Sequence, residues 1–282
     1  MKKYTIIADS SCDLRGADLT CGAIDFVTTP ISYNIGGVEY VDNEDMDAKE
    51  LLVKMKQSKT APKTACPSPE TFAEQMRAGA DNIICVTLSS KLSGTYGSAV
   101  LASETVRAEQ PDKKIFVLDS LTTSAGLVRL LHKLAELIKS DKYSFEEITE
   151  KITKIRSTNK IRFLLNDLAN LVKAGRMSKV AGIITSIIPL KLLCGDNGDG
   201  EIKKYKQVLG FKKAVETLSE FPGEKCEEKD NLIVISHCNN EESASLLKKL
   251  IESKFGFKYI KILLMRGTAT TMANDKGLAV AY

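Results

Sequence analysis

The sequence predicts an α/β protein of two domains: an α/β/α parallel-sheet N-terminal domain over residues 1–160 and a two-layer α/β mixed-sheet C-terminal domain over residues 161–282. Three observations carry this. Short, continuously apolar runs alternate with helical segments through the first half, as in a parallel sheet buried on both faces. The second half holds a hairpin signal beside one further β-α-β unit. The charge also divides: residues 1–160 carry 21 Lys+Arg and 22 Asp+Glu, and residues 161–282 carry the other 19 and 14.

In the first half, Tyr4 to Ala8 reads as a short strand. Asp45 to Gln57 reads as a helix, with Met46, Leu51, Leu52 and Met55 on one stripe. Ser68 followed by Pro69 marks a helix start, an N-cap with proline at the first helical position, and that helix reaches about Ala78. Asn82 to Leu88 reads as a strand buried on both faces, Gly94 to Glu109 as a helix, and Ile115 to Leu118 as another strand. Thr123 to Lys139 is a long amphipathic helix, and Ser144 caps a further one to about Arg156.

In the second half, Ile161 to Leu165 reads as a strand, and Asp167 to Ala174 as a helix stopped by Gly175. A helix is expected over Ser178–Ile188, ending before Pro189. Leu190 to Cys194 and Ile202 to Val208 form a hairpin around the glycine-rich run 195–200. A helix follows from about Phe211 to Phe221, then a polar loop over Phe221–Asp230. Leu232 to Ser236, a helix near Glu241 to Lys254, and Tyr259 to Leu264 make the β-α-β unit.

Composition excludes several functions. The chain has 282 residues, 43% hydrophobic and 6% aromatic, with no Trp. A stacking platform for nucleic acid needs exposed aromatics, so none is expected. The longest apolar stretch, Val180 to Cys194, is broken by Pro189 and Lys191 and falls short of the roughly 20 residues that span a bilayer. No stable membrane insertion and a cytoplasmic location are expected. Seven cysteines, an odd number with no C-x-x-C spacing, read as scattered reduced thiols. Asp196 to Gly200 lacks the acidic spacing of a calcium loop. With two histidines, a zinc site is not expected. His132, beside Arg129 and Lys133, reads as solvated. His237 ends an apolar strand, where either a structural or a functional role fits.

The predicted strands of the first half end in hydroxyls or carboxylates: Asp9-Ser10-Ser11, Ser89-Ser90 leading to Ser93-Gly94-Thr95, and Asp119-Ser120 leading to Thr122, Thr123 and Ser124. Ligands of open parallel sheets bind at these ends. Ser93-Gly94-Thr95 opens a helix, whose free N–H groups favour an anion. The same residues serve equally well as helix caps. The net +5 of residues 161–282 suits either an acidic partner or a solvated lysine face.

In order along nearly the whole chain, these pieces resemble the DegV family of bacterial fatty-acid-binding proteins. The resemblance lies in Asp9-Ser10-Ser11-Cys12-Asp13-Leu14, Thr28-Thr29-Pro30-Ile31 with Gly37-Val38-Glu39-Tyr40, and Lys63-Thr64-Ala65-Cys66-Pro67-Ser68-Pro69. It continues through Ser89 to Ala99, Asp119-Ser120, and Lys173-Ala174-Gly175-Arg176. It implies the EDD fold, with a lipid tunnel between or alongside the two domains. It also implies a carrier without catalysis of its own, which holds one long acyl chain such as palmitate and presents its carboxylate to a separate fatty acid kinase for acyl-phosphate formation. No cofactor is implied beyond the bound fatty acid, and no metal. A chain of about 16 carbons gains on the order of 12 kcal/mol at ~0.8 kcal/mol per CH₂, before association losses.

By this resemblance the carboxylate falls to the hydroxyls of Thr64 and Ser93 and the backbone N–H groups of Gly94 and Thr95. Arg176, Arg266, His237 and Ser124 are further candidates for head-group or partner contact, Arg176 serving equally as an inter-domain ion pair. The chain departs from the family pattern at Ala65, where a serine is usual, around Leu209, where an arginine is common, and at Arg266, where many members carry a histidine. Two other readings compete. One is a serine-dependent hydrolase or acyl transferase using Ser93, with His237 as base. The other is a carrier of another small anion.

Overall fold

The computed structural model of the chain describes residues 3–177, 190–225 and 231–282. The helix expected over Ser178–Ile188 lies outside them. In the N-terminal part the chain runs β1 (Tyr4–Asp9), a 3₁₀ turn at Ser10–Cys12, α1 (Gly16–Leu19), β2 (Ile24–Thr29), β3 (Ser32–Ile35), β4 (Val38–Val41), α2 (Ala48–Gln57), β5 (Lys63–Ala65), α3 (Pro69–Ala78), β6 (Asn82–Thr87), α4 (Thr95–Glu109), β7 (Lys114–Asp119), α5 (Ala125–Lys139) and α6 (Phe145–Thr158). The C-terminal part continues with β8 (Ile161–Leu165), α7 (Ala169–Lys173), β9 (Leu190–Asp196), β10 (Ile202–Leu209), α8 (Phe211–Leu218), α9 (Phe221–Lys225), β11 (Leu232–His237), α10 (Glu241–Phe255), β12 (Tyr259–Leu264), α11 (Gly267–Ala273) and β13 (Leu278–Ala281).

The N-terminal part is built on a parallel sheet ordered β2-β1-β6-β7. Alternation along its strands sends Ile7, Ile83, Cys85 and Ile115 toward α3 and α4, and Ile6, Ala8, Ile84, Val86 and Leu118 into the core that α5 shares. That is the α/β/α sandwich. The helix starts form as their sequences direct. The Ser68 side chain accepts from Thr71 N–H, and Ser144 makes a capping box with Glu147. α2 begins three residues later than its apolar stripe suggests, because the Asp47 carboxylate accepts from Lys49 and Glu50 N–H and caps it there.

The C-terminal sheet is mixed, ordered β10-β9-β8-β13-β11-β12, with only β11 and β12 parallel. On one face Leu164, Leu193, Ile233, Ile235 and Val280 pack against α8 and α10. On the other, Phe163, Leu165, Leu192, Val234 and Ala279 join the core of the N-terminal part, where α5 lies against β11 and β13. One hydrophobic core thus joins the two sheets.

Four features differ from the sequence reading. β2 pairs with β1 at the sheet edge, and β4-β3-β5 form a small antiparallel sheet. β13 and α11, unread in the sequence, supply a central strand and a short helix of the C-terminal part. The loop expected from Phe221 begins as α9. His132 is half-buried and lies 3.0 Å from Lys261 Nζ, and burial with that cation pushes its pKa down to about 4.

Candidate functional site

A cavity of about 350 Å³ opens between the C-terminal ends of the parallel strands and the inner face of the mixed sheet. The N-terminal part contributes Ile31, Thr64, Ala65, Cys66, Leu88, Leu92, Ser93, Gly94, Thr123 and Ser124. The C-terminal part contributes Ile161, Phe163, Leu165, Leu171, Arg176, Ile202, Met265, Ala279 and, from α11, Thr268, Ala269, Met272 and Ala273. Ile161, Phe163 and Leu165 reach it together because alternate residues of β8 share a face. The wall is therefore mostly aliphatic, with a polar mouth formed by Thr64, Ser93, Gly94, Thr123 and Ser124, and with Thr268 and Arg176 as further polar residues from the C-terminal part.

At the mouth, Ser93 Oγ lies 2.8 Å from Thr95 Oγ1 and accepts from Thr95 N–H at 3.3 Å. Ser98 N–H closes the first turn of α4 onto the Gly94 carbonyl, so the N–H groups ahead of it have no acceptor within the helix. Cys66 lies against this turn: a Cβ at residue 94 would meet its Sγ at 3.4 Å, an ordinary van der Waals contact. Thr64 is half-buried on β5, which the antiparallel pairing with β3 holds against the cavity. Arg176 follows Gly175, whose φ of +71° turns the chain after α7. Its Nε donates to the Leu92 carbonyl at 2.9 Å, placing an exposed guanidinium at the rim next to Ser93.

The other sequence candidates lie elsewhere or act indirectly. Ser124 lines the cavity in a left-handed conformation, φ +47°, with its hydroxyl donating to Asp13. Arg266 is buried beside the cavity but does not line it; its guanidinium donates to the carbonyls of Leu14 and Asn43. His237 ends β11 away from the cavity lining, and its Nδ1 accepts from Asn240 N–H at 3.2 Å. Burial holds its pKa below the usual histidine value. The first strand end, Asp9-Ser10-Ser11, is absent from the lining. Asp9 instead accepts from Ser11 N–H and Leu88 N–H, tying β1 to β6.

The sequence reading did not anticipate that three carboxylates, Asp9, Asp13 and Asp42, are buried. Burial pushes Asp9 and Asp13 up to about 6 and raises Asp42, against the hydrogen bonds that lower each. The available signal was Asp9 and Asp13 flanking an all-buried hydroxyl turn. Among the described residues no group of His, Cys, Asp and Glu could hold a metal ion, and no helix is long and apolar enough to cross a membrane.

An aliphatic cavity with one hydroxyl-lined end, roofed by two sheets, defines an α/β protein that binds a small amphipathic molecule. The family model described as "Uncharacterised protein, DegV family" matches residues 3–282, and the chain belongs to the DegV family. It is 32% identical over 279 residues to a DegV domain-containing protein of Streptococcus pneumoniae, covering 99% of this chain and 98% of the other. Among solved structures it is similar to a DegV family protein from Ruminococcus gnavus refined with vaccenic acid (TM-score 0.93, 29% identity, 100% and 99% of the two chains). It is equally similar to the Streptococcus pneumoniae Fatty Acid Kinase (Fak) B3 protein loaded with linoleic acid (TM-score 0.93, 31% identity, 99% of each chain).

Proposed function

We propose that this chain is a cytoplasmic fatty-acid carrier, which holds one long acyl chain in the cavity and presents its carboxylate at the mouth to a fatty acid kinase. The observation that carries this is the division of the cavity wall: mostly aliphatic from β8, β13 and α11, with hydroxyls gathered at Thr64, Ser93, Thr123 and Ser124 beside Gly94, Thr268 as the one hydroxyl from α11, and Arg176 at the rim. The apolar term for a long chain is large, and the carboxylate needs several donors to leave water. The hydroxyls of Thr64 and Ser93 and the Gly94 N–H are those donors in this reading, Thr95 N–H serving by holding Ser93 Oγ in place, with Arg176 at the rim facing the incoming phosphate or the kinase. The relatives that carry vaccenic and linoleic acid support the ligand class, and the B3 protein's name supports the partner.

The division between the two parts is placed at residues 160 and 161. The protein contributes binding and orientation and leaves phosphoryl transfer to the partner. The odd cysteine count supports a reducing compartment. Mass spectrometry of the protein, purified and then denatured, tests the reading. Release of a long-chain fatty acid is the expected result; no released lipid and no uptake of added palmitate would overturn it.

A further inference from the structure

We infer that Arg266 is a positioning residue: with Asp13 and Asp42 it forms a buried strut that holds the α11 wall of the cavity, and it sets affinity for the acyl chain rather than for the carboxylate. The inference rests on the fatty-acid reading above and assigns a role within it.

Three consecutive backbone N–H groups enter α11 under the control of two carboxylates. Arg266 N–H donates to Asp13 Oδ1 at 2.9 Å, Gly267 N–H to Asp42 Oδ1 at 3.1 Å, and Thr268 N–H to Asp42 Oδ2 at 2.7 Å. The Thr268 hydroxyl also donates to Asp42 Oδ2 at 2.7 Å. These carboxylates stand on the loops after β1 and β4, far away in sequence, so the bonds fix α11 to the N-terminal part. The Arg266 guanidinium completes the tie by donating to the Leu14 and Asn43 carbonyls on those same loops. Its two terminal nitrogens are taken by backbone while Nε is buried without a hydrogen-bond partner, and Arg266 does not line the cavity that its neighbours Met265 and Thr268 line.

The approach is close enough to need glycine at 267. A Cβ there would lie 2.6 Å from Asp42 Oδ1 and 2.8 Å from the Tyr33 hydroxyl oxygen. Asp13 extends the network to the opposite wall, since its Oδ2 accepts from Ser124. Two buried carboxylates are costly without compensation; the Arg266 charge acts on Asp42, and Asp13 is met by the Arg266 backbone N–H and the Ser124 hydroxyl. The strut therefore sets the spacing between α11 and Ser124, both of which line the cavity.

The test compares palmitate with hexadecanol, which keeps the chain and lacks the carboxylate, by displacement of a fluorescent fatty acid from delipidated protein. Urea midpoints accompany each variant. Arg266→Gln and Asp42→Asn are expected to weaken both ligands by the same factor, about tenfold, as hydrogen bonds to charged groups are lost. Arg266→Lys should recover part of the loss. Thr64→Val with Ser93→Ala should weaken palmitate far more than hexadecanol. If Arg266→Gln affects palmitate alone, the guanidinium serves the head group and the inference is wrong. Unchanged affinity for both ligands also overturns it. Should Arg266→Gln fail to fold, Asp42→Asn carries the same comparison, because its amide oxygen still accepts one of the N–H groups. A wild-type protein that takes up neither ligand overturns the fatty-acid reading itself, and this one with it.

Discussion

The Ser89 hydroxyl donates to the Gly200 carbonyl at 2.8 Å, fastening the turn between β9 and β10 onto the end of β6. Gly200 adopts φ +88°, and a Cβ there would meet Ser89 Oγ at 2.3 Å and the Leu121 Cα at 3.2 Å. The hairpin thereby closes one side of the cavity, which Ile202 lines. Gly200→Val is expected to destabilise the fold by about 2–4 kcal/mol, from left-handed strain and the steric overlap together. Ser89→Ala should cost about 1 kcal/mol. Urea unfolding measures both, and a neutral Gly200→Val would mean that the hairpin docks elsewhere in solution.

Arg129 on α5 is a second fastening. Its Nε donates to the Leu232 carbonyl at 2.8 Å, and its two terminal nitrogens donate to the Asn159 and Asn231 side-chain oxygens at 2.8 and 2.9 Å. Arg129→Met leaves one buried acceptor, on Asn159, and two half-buried ones short of a donor and should destabilise the protein by about 2–4 kcal/mol. Chemical denaturation would show it as a lower midpoint with an unchanged slope.

Head-group recognition is tested by Thr64→Val combined with Ser93→Ala. If these hydroxyls hold the carboxylate, palmitate affinity falls by about 2–5 kcal/mol, because a buried charge loses its donors. Unaltered affinity in a calorimetric titration would place the head group elsewhere.

The pH dependence follows from two opposed sets of groups. Burial raises Asp13 to about 6, above the ~3.9 of an unfolded chain, while Ser124 and Arg266 N–H bonds and the nearby Asp42 act on it in opposite senses. Between those values the folded state binds the extra proton, so the Asp13 contribution to stability is best in acid and declines as pH rises through 6. The stability of wild type relative to Asp13→Asn should therefore fall by roughly 1–3 kcal/mol between pH 4 and 7. His132 runs the other way. Its pKa is held down to about 4, so stability relative to His132→Gln is full above pH 6.5 and falls on acidification. Urea midpoints across pH 4–8 for the three proteins would reveal either slope with the wrong sign.

The legible part of this protein is the local part. Ser68-Pro69 and Ser144 with Glu147 fix helix starts by bonds within four residues, and the apolar run of β6 announces burial on both faces. The ordered motifs around Ser93 and Arg176 were enough to indicate the family and its ligand class. β13 was not legible, because four apolar residues near the chain end carry no turn or period signal until β8 and β11 flank them. The burial of Asp13 and Asp42 was not legible, since nothing in their neighbourhood in sequence shows that residues 266–268 will take them out of water. Sequence by itself determined most of the helices and strands and the parallel sheet of the first half, set by hydrogen bonds and periodicity over a few positions, while Thr64 and Ser93 were singled out by the family resemblance. Tertiary structure alone decided which buried charges face one another and where the Arg266 guanidinium points. Those depend on contacts between segments more than 200 residues apart, whose energies exist only after both sheets have packed on one core.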